Sequence, residues 1–385
     1  VAKVDFNGDG QEDILWRYYG GGAIEGWNVA WLMEQSGTLS PEALGAVSPD
    51  VATMDSLASS PETRSYRTPL DTGKPQANKL GAPFKTPLGL EKAKTAKPKK
   101  VMRTPAESSL DKSAKGRGSA RDRGVTAMPK SEVMTSVLST EEVEIASLGL
   151  SETVLLPMVQ DTLWELAGAG DFDGDGNTDT LWRYYGTGGL QGLNVVWYMN
   201  GTGIDHYGYL PTVSDTDWRI EGTGDFDGNG TLEILWRYYG VGGFQGWNIV
   251  WYLNGTEISS YGFPSAVSDV NWKVAAIGDF DGDTKTDLLW RYCGSGDFQG
   301  MNVIWYMNGS DISAYGYPVT VTDLNWKVDG SGDFDGDTKA DLLWRYYGTD
   351  ELQGWTVIWY MEGAEIKAQE TLTTVQDTNW RIVNR

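Results

Sequence analysis

Acidic residues alternate with glycines in a nine-residue segment that occurs five times along the chain. In the copy at 171–179, side-chain oxygens stand at positions 1, 3, 5 and 9, and position 7 offers a backbone carbonyl. Gly174 permits the tight turn that this order requires. Six or more hard oxygen ligands at about 2.3–2.6 Å are what calcium takes in proteins. The predicted ligands of this copy are Asp171, Asp173, Asp175, Asn177 and Asp179.

The other four copies predict equivalent sites, so the sequence predicts up to five calcium ions. The alternative, a set of solvated Asp-Gly turns, leaves three or four carboxylates within nine residues to repel one another. Magnesium fits less well, because it keeps several waters and takes few protein ligands. The predicted ligands are Asp5, Asn7, Asp9, Gln11 and Asp13; Asp225, Asp227, Asn229, Thr231 and Glu233; Asp279, Asp281, Asp283, Lys285 and Asp287; and Asp333, Asp335, Asp337, Lys339 and Asp341.

The loop differs from an EF-hand. Trp182 stands at position 12, where an EF-hand has a bidentate Glu, and no helical pattern flanks the segment. Thr284 and Thr338 replace the second glycine of their loops, and Glu233 replaces the Asp at position 9. The five sites are therefore expected to differ in affinity.

Each loop begins a longer repeat. The last four copies start 54 residues apart, at 171, 225, 279 and 333. Each is followed by Leu-Trp-Arg-Tyr, a Gly-rich gap, a strand-like segment with Trp, and a closing Asp-x-x-Trp. All 18 tryptophans fall at four positions of this repeat, and none lies in 37–140. The chain therefore contains five units.

Every unit predicts four short strands. In the third unit these are Trp218–Gly224, Glu233–Tyr239, Gly246–Leu253 and Glu257–Ala266, which alternate β-branched or aromatic residues with polar ones. Asn254-Gly255 is a two-residue hairpin signal. About four strands in each ~50 residues are typical of a propeller blade. We predict an all-β fold, a five-bladed β-propeller of four-stranded blades.

The two ends of the chain predict how the ring closes. The C-terminal segment from Trp380 matches the first strand of a unit, and the N-terminal residues lead into the first loop. We therefore expect blade 1 to combine strands from both ends. The predicted organisation is 1–36 as the first part of blade 1, 37–140 as a basic low-complexity insert that forms an extended arm, and 141–385 as the rest of the propeller.

The charge is unevenly distributed. The chain carries −22 overall, but 37–140 hold 17 Lys+Arg and 10 Asp+Glu, which leaves 14 basic and 43 acidic residues, or −29, for the rest. An acidic body repels phosphate, so we expect no nucleic-acid partner. No apolar run reaches the ~18–20 residues of a membrane span. The insert has too little apolar area to fold alone, and we expect it to dock on acidic propeller surface of its own or a neighbouring subunit.

Catalytic groups are scarce. With one histidine, His206, and one cysteine, Cys293, the chain offers no Ser-His or Cys-His pair and no internal disulfide. Cys293 occupies a repeat position where the other units have Tyr19, Tyr185, Tyr239 and Tyr347, which indicates a structural substitution. We predict no catalytic residues and a protein that is not an enzyme.

The repeat resembles a known family. The Asp-rich loops, with Leu-Trp-Arg behind them and Val-Val-Trp-Tyr-Met-Asn-Gly beyond, are similar to the FG-GAP/VCBS repeats of bacterial surface proteins and to the related integrin α-subunit propeller. The resemblance covers 1–36 and about 145–385. It implies calcium in outer-edge loops and a role in adhesion, carbohydrate recognition or assembly at the cell surface or outside a bacterial cell. Five units instead of seven, and the long insert, depart from the integrin pattern.

Two repeat positions have alternative interpretations. The recurring Arg between Trp and Tyr either stacks and pairs with a unit-closing Asp, such as Asp215 or Asp269, or contacts a ligand, as at Arg237. The Trp27, Trp247 and Trp355 position either packs the blade or forms a sugar platform. The leading hypothesis is a self-associating structural or adhesive surface protein or filament subunit, with surface glycans as further partners. The alternative is a lectin with sites between the blades.

Overall fold

The computed structural model describes residues 4–33 and 152–384, which form twenty β-strands and no helix. They assemble into five four-stranded antiparallel sheets that form a five-bladed β-propeller, as predicted. The insert at 37–140 lies outside the described residues. Blade 1 combines three strands from the N-terminal half of the chain with the last strand of the chain, and blades 2 to 5 each use four consecutive strands.

The first strands of the blades contact their neighbours in turn, so they surround the axis. They are β4 (Trp164–Gly170), β8 (Trp218–Gly224), β12 (Trp272–Gly278), β16 (Trp326–Gly332) and β20 (Trp380–Ile382). The second strands are β1 (Ile14–Tyr18), β5 (Asp179–Tyr184), β9 (Glu233–Tyr238), β13 (Asp287–Tyr292) and β17 (Asp341–Tyr346). The third strands are β2 (Asn28–Leu32), β6 (Asn194–Asn200), β10 (Asn248–Asn254), β14 (Asn302–Asn308) and β18 (Thr356–Glu362). The outer strands are β3 (Glu152–Leu156), β7 (Gly203–Leu210), β11 (Glu257–Gly262), β15 (Asp311–Gly316) and β19 (Glu365–Leu372).

The predicted strands of the third unit are confirmed, with four boundaries shifted: β9 ends one residue earlier, at Tyr238, and β10 ends one residue later, at Asn254. The third strand begins at Asn248 because Gly246 adopts φ +77 in the turn before it, where a Cβ would lie 2.0 Å from the carbonyl oxygen of Val267. The outer strand ends at Gly262, since Pro264 has no N–H to donate to a ladder.

Blade 1 is completed by both ends of the described chain, as predicted. β20 pairs with β1, with Trp16 opposite Ile382. The buried Asn384 side chain accepts a hydrogen bond from the Leu15 N–H at 2.6 Å and donates to the Asp13 carbonyl at 2.6 Å. The Asn384 side chain therefore adds hydrogen bonds beyond the three-residue strand β20, so both backbone and side-chain hydrogen bonds close the ring.

A buried arginine joins each blade to the next. Arg183 of blade 2 donates to Asn194 Oδ1 in its own blade at 3.0 Å, and to the carbonyls of Val213 and Trp218 at 2.9 and 3.2 Å. Its guanidinium carbon lies 4.8 Å from the centroid of the Trp236 ring in blade 3. Cation–π stacking and charged hydrogen bonds to carbonyls thus replace ion pairing at this interface.

The arginine contacts confirm the predicted stacking and correct the predicted partner. Arg183 donates to the backbone carbonyl of Asp215 at 3.3 Å, not to its carboxylate. The linker carbonyls between blades would otherwise be buried without hydrogen-bond donors. A guanidinium that donates to these carbonyls satisfies several of them at once, whereas a guanidinium paired with a carboxylate would have fewer N–H groups left for them. The equivalent buried residues are Arg17, Arg237, Arg291 and Arg345.

Candidate metal centre

Each Asp-rich loop precedes the second strand of its blade and, in blades 2 to 5, connects the first strand to it, so all five loops lie on the same face of the propeller. In blade 2, Asp171 shapes the loop: its Oδ1 accepts the Gly174 N–H at 2.7 Å, and its Oδ2 accepts the Gly176 N–H at 2.9 Å. Both glycines have positive φ, +81 and +88. The loop therefore folds around the carboxylate at position 1.

Three carboxylates meet in each of four loops. In blade 2 one oxygen each of Asp171, Asp173 and Asp179 lies within 4.8 Å of the others, at positions 1, 3 and 9 of the predicted ligand set. Three oxygens at such separations can share one cation at about 2.3–2.6 Å. The equivalent clusters are Asp225, Asp227 and Glu233; Asp279, Asp281 and Asp287; and Asp333, Asp335 and Asp341.

The carboxylates at position 9 are buried and strongly perturbed. Asp179 accepts the Phe172 and Met199 N–H groups at 2.9 and 2.8 Å, which anchors the loop to β6. Burial is the main cause that raises the pKa of Asp179 to about 7, and the nearby charges of Asp173 and Asp171 add to it. The same cause raises the pKa of Asp13 to about 6, of Glu233 to about 7, and of Asp287 and Asp341 to about 8.

One oxygen in these clusters has no hydrogen-bond donor. Asp333 is 5% exposed, and its Oδ1 has no partner among the described residues, whereas its Oδ2 accepts the Thr338 N–H at 3.0 Å. A buried carboxylate oxygen without a donor is destabilising unless a cation compensates it. Because Asp333 belongs to the cluster with Asp335 and Asp341, this cluster fits a bound cation.

The loop geometry is kept even where the sequence opposes it. Thr284 and Thr338, at the second glycine position, are the only non-glycine residues with positive φ in the described residues, at 72° and 75°. A β-branched residue is strained in this region. The N–H of each still binds the position-1 carboxylate, Thr284 to Asp279 Oδ2 at 2.7 Å. These two loops therefore keep the backbone conformation of the glycine-containing loops, although threonine disfavours a positive φ.

The first loop does not assemble a three-carboxylate cluster. Its position 3 is Asn7, whose Nδ2 donates to Asp9 Oδ2 at 3.0 Å. The backbone bonds are retained, since Gly8 and Gly10 donate to the Asp5 carboxylate at 2.7 and 2.9 Å. The described residues therefore contain four carboxylate clusters, where the sequence predicted up to five metal sites.

Positions 5 and 7 contribute no carboxylate to these clusters. In blade 2, Asp175 Oδ1 instead accepts the Asn177 N–H at 2.8 Å. In blade 5, Asp337 Oδ2 accepts a hydrogen bond from Lys367 Nζ at 2.8 Å. The Lys339 ammonium contacts Glu362, which contributes to lowering the pKa of Glu362 to about 2. Lys285 Nζ donates to the side-chain oxygen of Asn308 at 3.0 Å.

Lys367 was not predicted to lie near a loop. It stands on β19, and the equivalent positions of blades 2 to 4 carry Asp205, Ser259 and Ser313, so no other unit signals it. Its ammonium places a positive charge beside one loop only, so the blade 5 cluster differs electrostatically from the other three.

The tryptophans proposed for ligand contact lie in the turns between the second and third strands, on the face opposite the loops, and Arg237 lies on β9 near such a turn. Trp27, Trp247 and Trp355 are half-buried, and Trp247 packs edge-on against Phe244 with ring centroids 5.2 Å apart. Arg237 has no exposed surface, and its guanidinium lies 4.8 Å from the Trp290 ring centroid. The ligand-contact interpretation of Arg237 therefore needs correction, because the next blade covers its guanidinium.

Comparison with known proteins adds no relative: no family model matches the chain, and no curated protein is similar to it. None of the described residues forms a helix that is long and apolar enough to cross a membrane.

Proposed function

We propose that this protein is a calcium-binding β-propeller of the FG-GAP/VCBS type that serves outside the cell as a structural or adhesive subunit and catalyses no reaction. The observation that carries this proposal is the set of four clusters, each with three carboxylate oxygens within 4.8 Å of one another. Calcium bound there would join the loop to the hairpin of its blade.

The ligand chemistry favours calcium. Every cluster consists of carboxylates alone, and the repeat supplies further side-chain and carbonyl oxygens in the same loop. His206 lies on β7 and Cys293 follows β13, so neither belongs to a cluster. Sites with oxygen ligands only select hard cations, while copper, nickel and zinc prefer nitrogen or sulfur ligands.

The buried carboxylates explain what calcium would do. At neutral pH the raised pKa of Asp287, about 8, keeps this group protonated in the absence of metal. A divalent cation would displace that proton and offset the mutual repulsion of the three carboxylates. Binding would therefore stabilise the blade. Extracellular calcium, at about 10⁻³ M, is sufficient for sites of the affinity that extracellular modules have.

The charge distribution supports an assembly role. The insert carries a net positive charge, and the loop face carries the carboxylate clusters. The end of β2, from which the insert departs, lies beside the first loop, because the Met33 N–H donates to Asp13 Oδ1 at 3.0 Å. The insert would dock on this acidic face, of its own subunit or of a neighbour, and so support self-association. Deleting 40–135 should then lower the sedimentation coefficient of assembled material, and an unchanged assembly would contradict this part.

Titration calorimetry of the chelator-treated protein tests the calcium proposal. We expect calcium binding at several sites, with magnesium weaker by at least about tenfold. Asp287→Asn should remove one site, because it deletes a charge that belongs to the cluster in blade 4. Asp297→Asn is the matched control, since Asp297 is exposed in the turn that follows β13. Absence of calcium binding, or equal loss in both variants, would overturn the assignment.

A further inference from the structure

Aromatic side chains are exposed on the outer strands of three consecutive blades. Among the described residues, seven large hydrophobic side chains are exposed, and five of these are aromatic residues at two equivalent repeat positions, within β7 and within or directly after β11 and β15. They expose between 39% and 57% of their surface. They are Tyr207, Tyr209, Phe263, Tyr315 and Tyr317, and the sixth residue of the set, Tyr261, is half-buried.

These residues form one sequence motif, aromatic-Gly-aromatic, followed closely by Pro. It occurs at 207–209, 261–263 and 315–317, so the three copies are 54 residues apart. We call the three aromatic pairs the rim platforms. Each strand that carries one is the terminal strand of its sheet in the described chain, so the platforms face outward from the propeller.

Blades 1 and 5 show that the fold does not need the platforms. At the register position of Tyr207, which pairs with Trp197, these blades have Thr153 opposite Trp31 and Gln369 opposite Trp359. Both form the same four-stranded sheet. Half-exposed aromatic rings gain only part of the hydrophobic stabilisation of a buried ring, so packing alone does not account for their presence.

The glycine between the two rings fixes each platform. Gly208 is buried, and a Cβ there would lie 2.7 Å from Thr256 Cγ2 of the next blade. At Gly262 and Gly316, an added Cβ would likewise lie too close to the side chains of Ser310 and Ala364 in the next blade. Two aromatic side chains on a strand whose backbone is clamped by the neighbouring blade form a pre-organised surface, which lowers the entropy lost on binding.

The charge of this rim identifies the class of ligand. β7, β11 and β15 contain no Lys or Arg, and their only acidic residues are Asp205, Glu257 and Asp311. A phosphate or sulfate polymer would find no cation there. Tyr and Phe rings offer flat apolar faces that suit the C–H faces of a sugar ring, and the Tyr residues add hydroxyl groups that suit its hydroxyls.

We propose that the rim platforms of blades 2 to 4 bind a neutral polysaccharide. One platform per blade gives three similar subsites in succession, which matches a polymer of repeating units better than a single sugar. Simultaneous contact with several subsites raises the overall affinity for a polymer far above that for a monosaccharide. The inference supplies a ligand for the adhesive function proposed above and rests on it, but it does not depend on the identity of the metal.

Affinity electrophoresis in gels that contain a neutral glucan, mannan, xylan or galactan tests the proposal, with the polyanion heparin as comparison. We expect retardation of the full-length protein by at least one neutral polymer, and any retardation by heparin should come from the basic insert at 37–140 and stay unchanged in the rim variants. Tyr209→Ala, Phe263→Ala and Tyr317→Ala should each weaken binding by about three- to tenfold, and the triple variant should abolish retardation. Thr371→Ala, at the equivalent position in blade 5, is the matched control and should leave mobility unchanged.

Two results would overturn the proposal: no retardation of the wild-type protein by any neutral polymer, or unchanged retardation of a folded triple variant. Thermal unfolding in calcium verifies that the variants fold, as expected for side chains on exposed positions. If calcium binding fails in calorimetry while retardation persists, the metal assignment is wrong and the rim proposal stands; the reverse result removes only the rim proposal.

Discussion

Removing calcium should reverse the way in which the stability of this propeller depends on pH. The groups responsible are the buried position-9 carboxyls, of which Asp179 is representative. Its pKa is raised to about 7 in the metal-free fold from 3.8 in the unfolded chain. A raised carboxyl pKa contributes stability that is fully present below 3.8 and is lost as the pH rises through about 7.

The magnitude follows from the size of the shift. Between about pH 5 and pH 7 the folded metal-free state holds roughly one more proton at Asp179 than the unfolded state, and each pH unit then removes about 1.4 kcal/mol of stability. Because the group is half-deprotonated at pH 7, it loses about 2 kcal/mol over this range, which lowers the Tm by roughly 4–8 °C for a domain of this size. With calcium bound, the carboxylates are charged in the fold, and stability should instead rise or stay level as the pH increases.

The assay is thermal unfolding, followed by tryptophan fluorescence, in excess chelator and in calcium at about pH 5, 6 and 7. We expect the gain in Tm from calcium to be smallest at the lowest pH and to grow at each step. Asp297→Asn should follow the wild-type profile, because Asp297 is exposed outside the loops. A chelated protein whose Tm is level or rises from pH 5 to 7, or a calcium gain that is equal at all three, would refute the reasoning.

Three further predictions concern the ring. Asn384→Ala should lower the free energy of unfolding by about 1–3 kcal/mol in urea titrations, because it leaves buried groups at the closure without partners. Arg183→Lys should destabilise by about 2 kcal/mol or more, while the exposed Arg219→Lys should change stability by under about 0.5 kcal/mol. Cys293→Tyr should raise the stability by about 1 kcal/mol in calorimetric scans, since the other blades place a Tyr ring beside the arginine there; Cys293→Ala should not.

Local chemistry made much of the fold and of the metal loops predictable. The Asp-Gly loops form their own hydrogen bonds, with Asp171 accepting the N–H groups of residues three and five positions later. Hairpins and strand periodicity are equally local, so β8 was predicted at Trp218–Gly224 and is found there. The pairing of β20 with β1 spans almost the whole chain, yet repetition predicted it, because only one unit lacked its first strand.

Contacts between blades were not predictable in the same way. The repeat sequence does not show whether its arginine donates to a carboxylate or to linker carbonyls. The linker of one blade and the Trp ring of the next blade come together only in the closed propeller. The first loop is a different case, because Asn7 stands at position 3 and the lack of a third carboxylate there follows from the sequence. The hydrogen bond between Lys367 and Asp337 was also not predicted, because it joins residues 30 positions apart that meet only when the blade has folded.

The sequence by itself determined the number of blades, the order of their strands and the positions of the acidic loops, since each depends on residues within one repeat. Only the tertiary structure decided which carboxylates converge and which become buried. It also decided that Arg237 is enclosed while the aromatic-Gly-aromatic segments remain exposed. The physical reason is that burial and electrostatic coupling depend on the neighbouring blade, and the position of that neighbour is set by closing the ring.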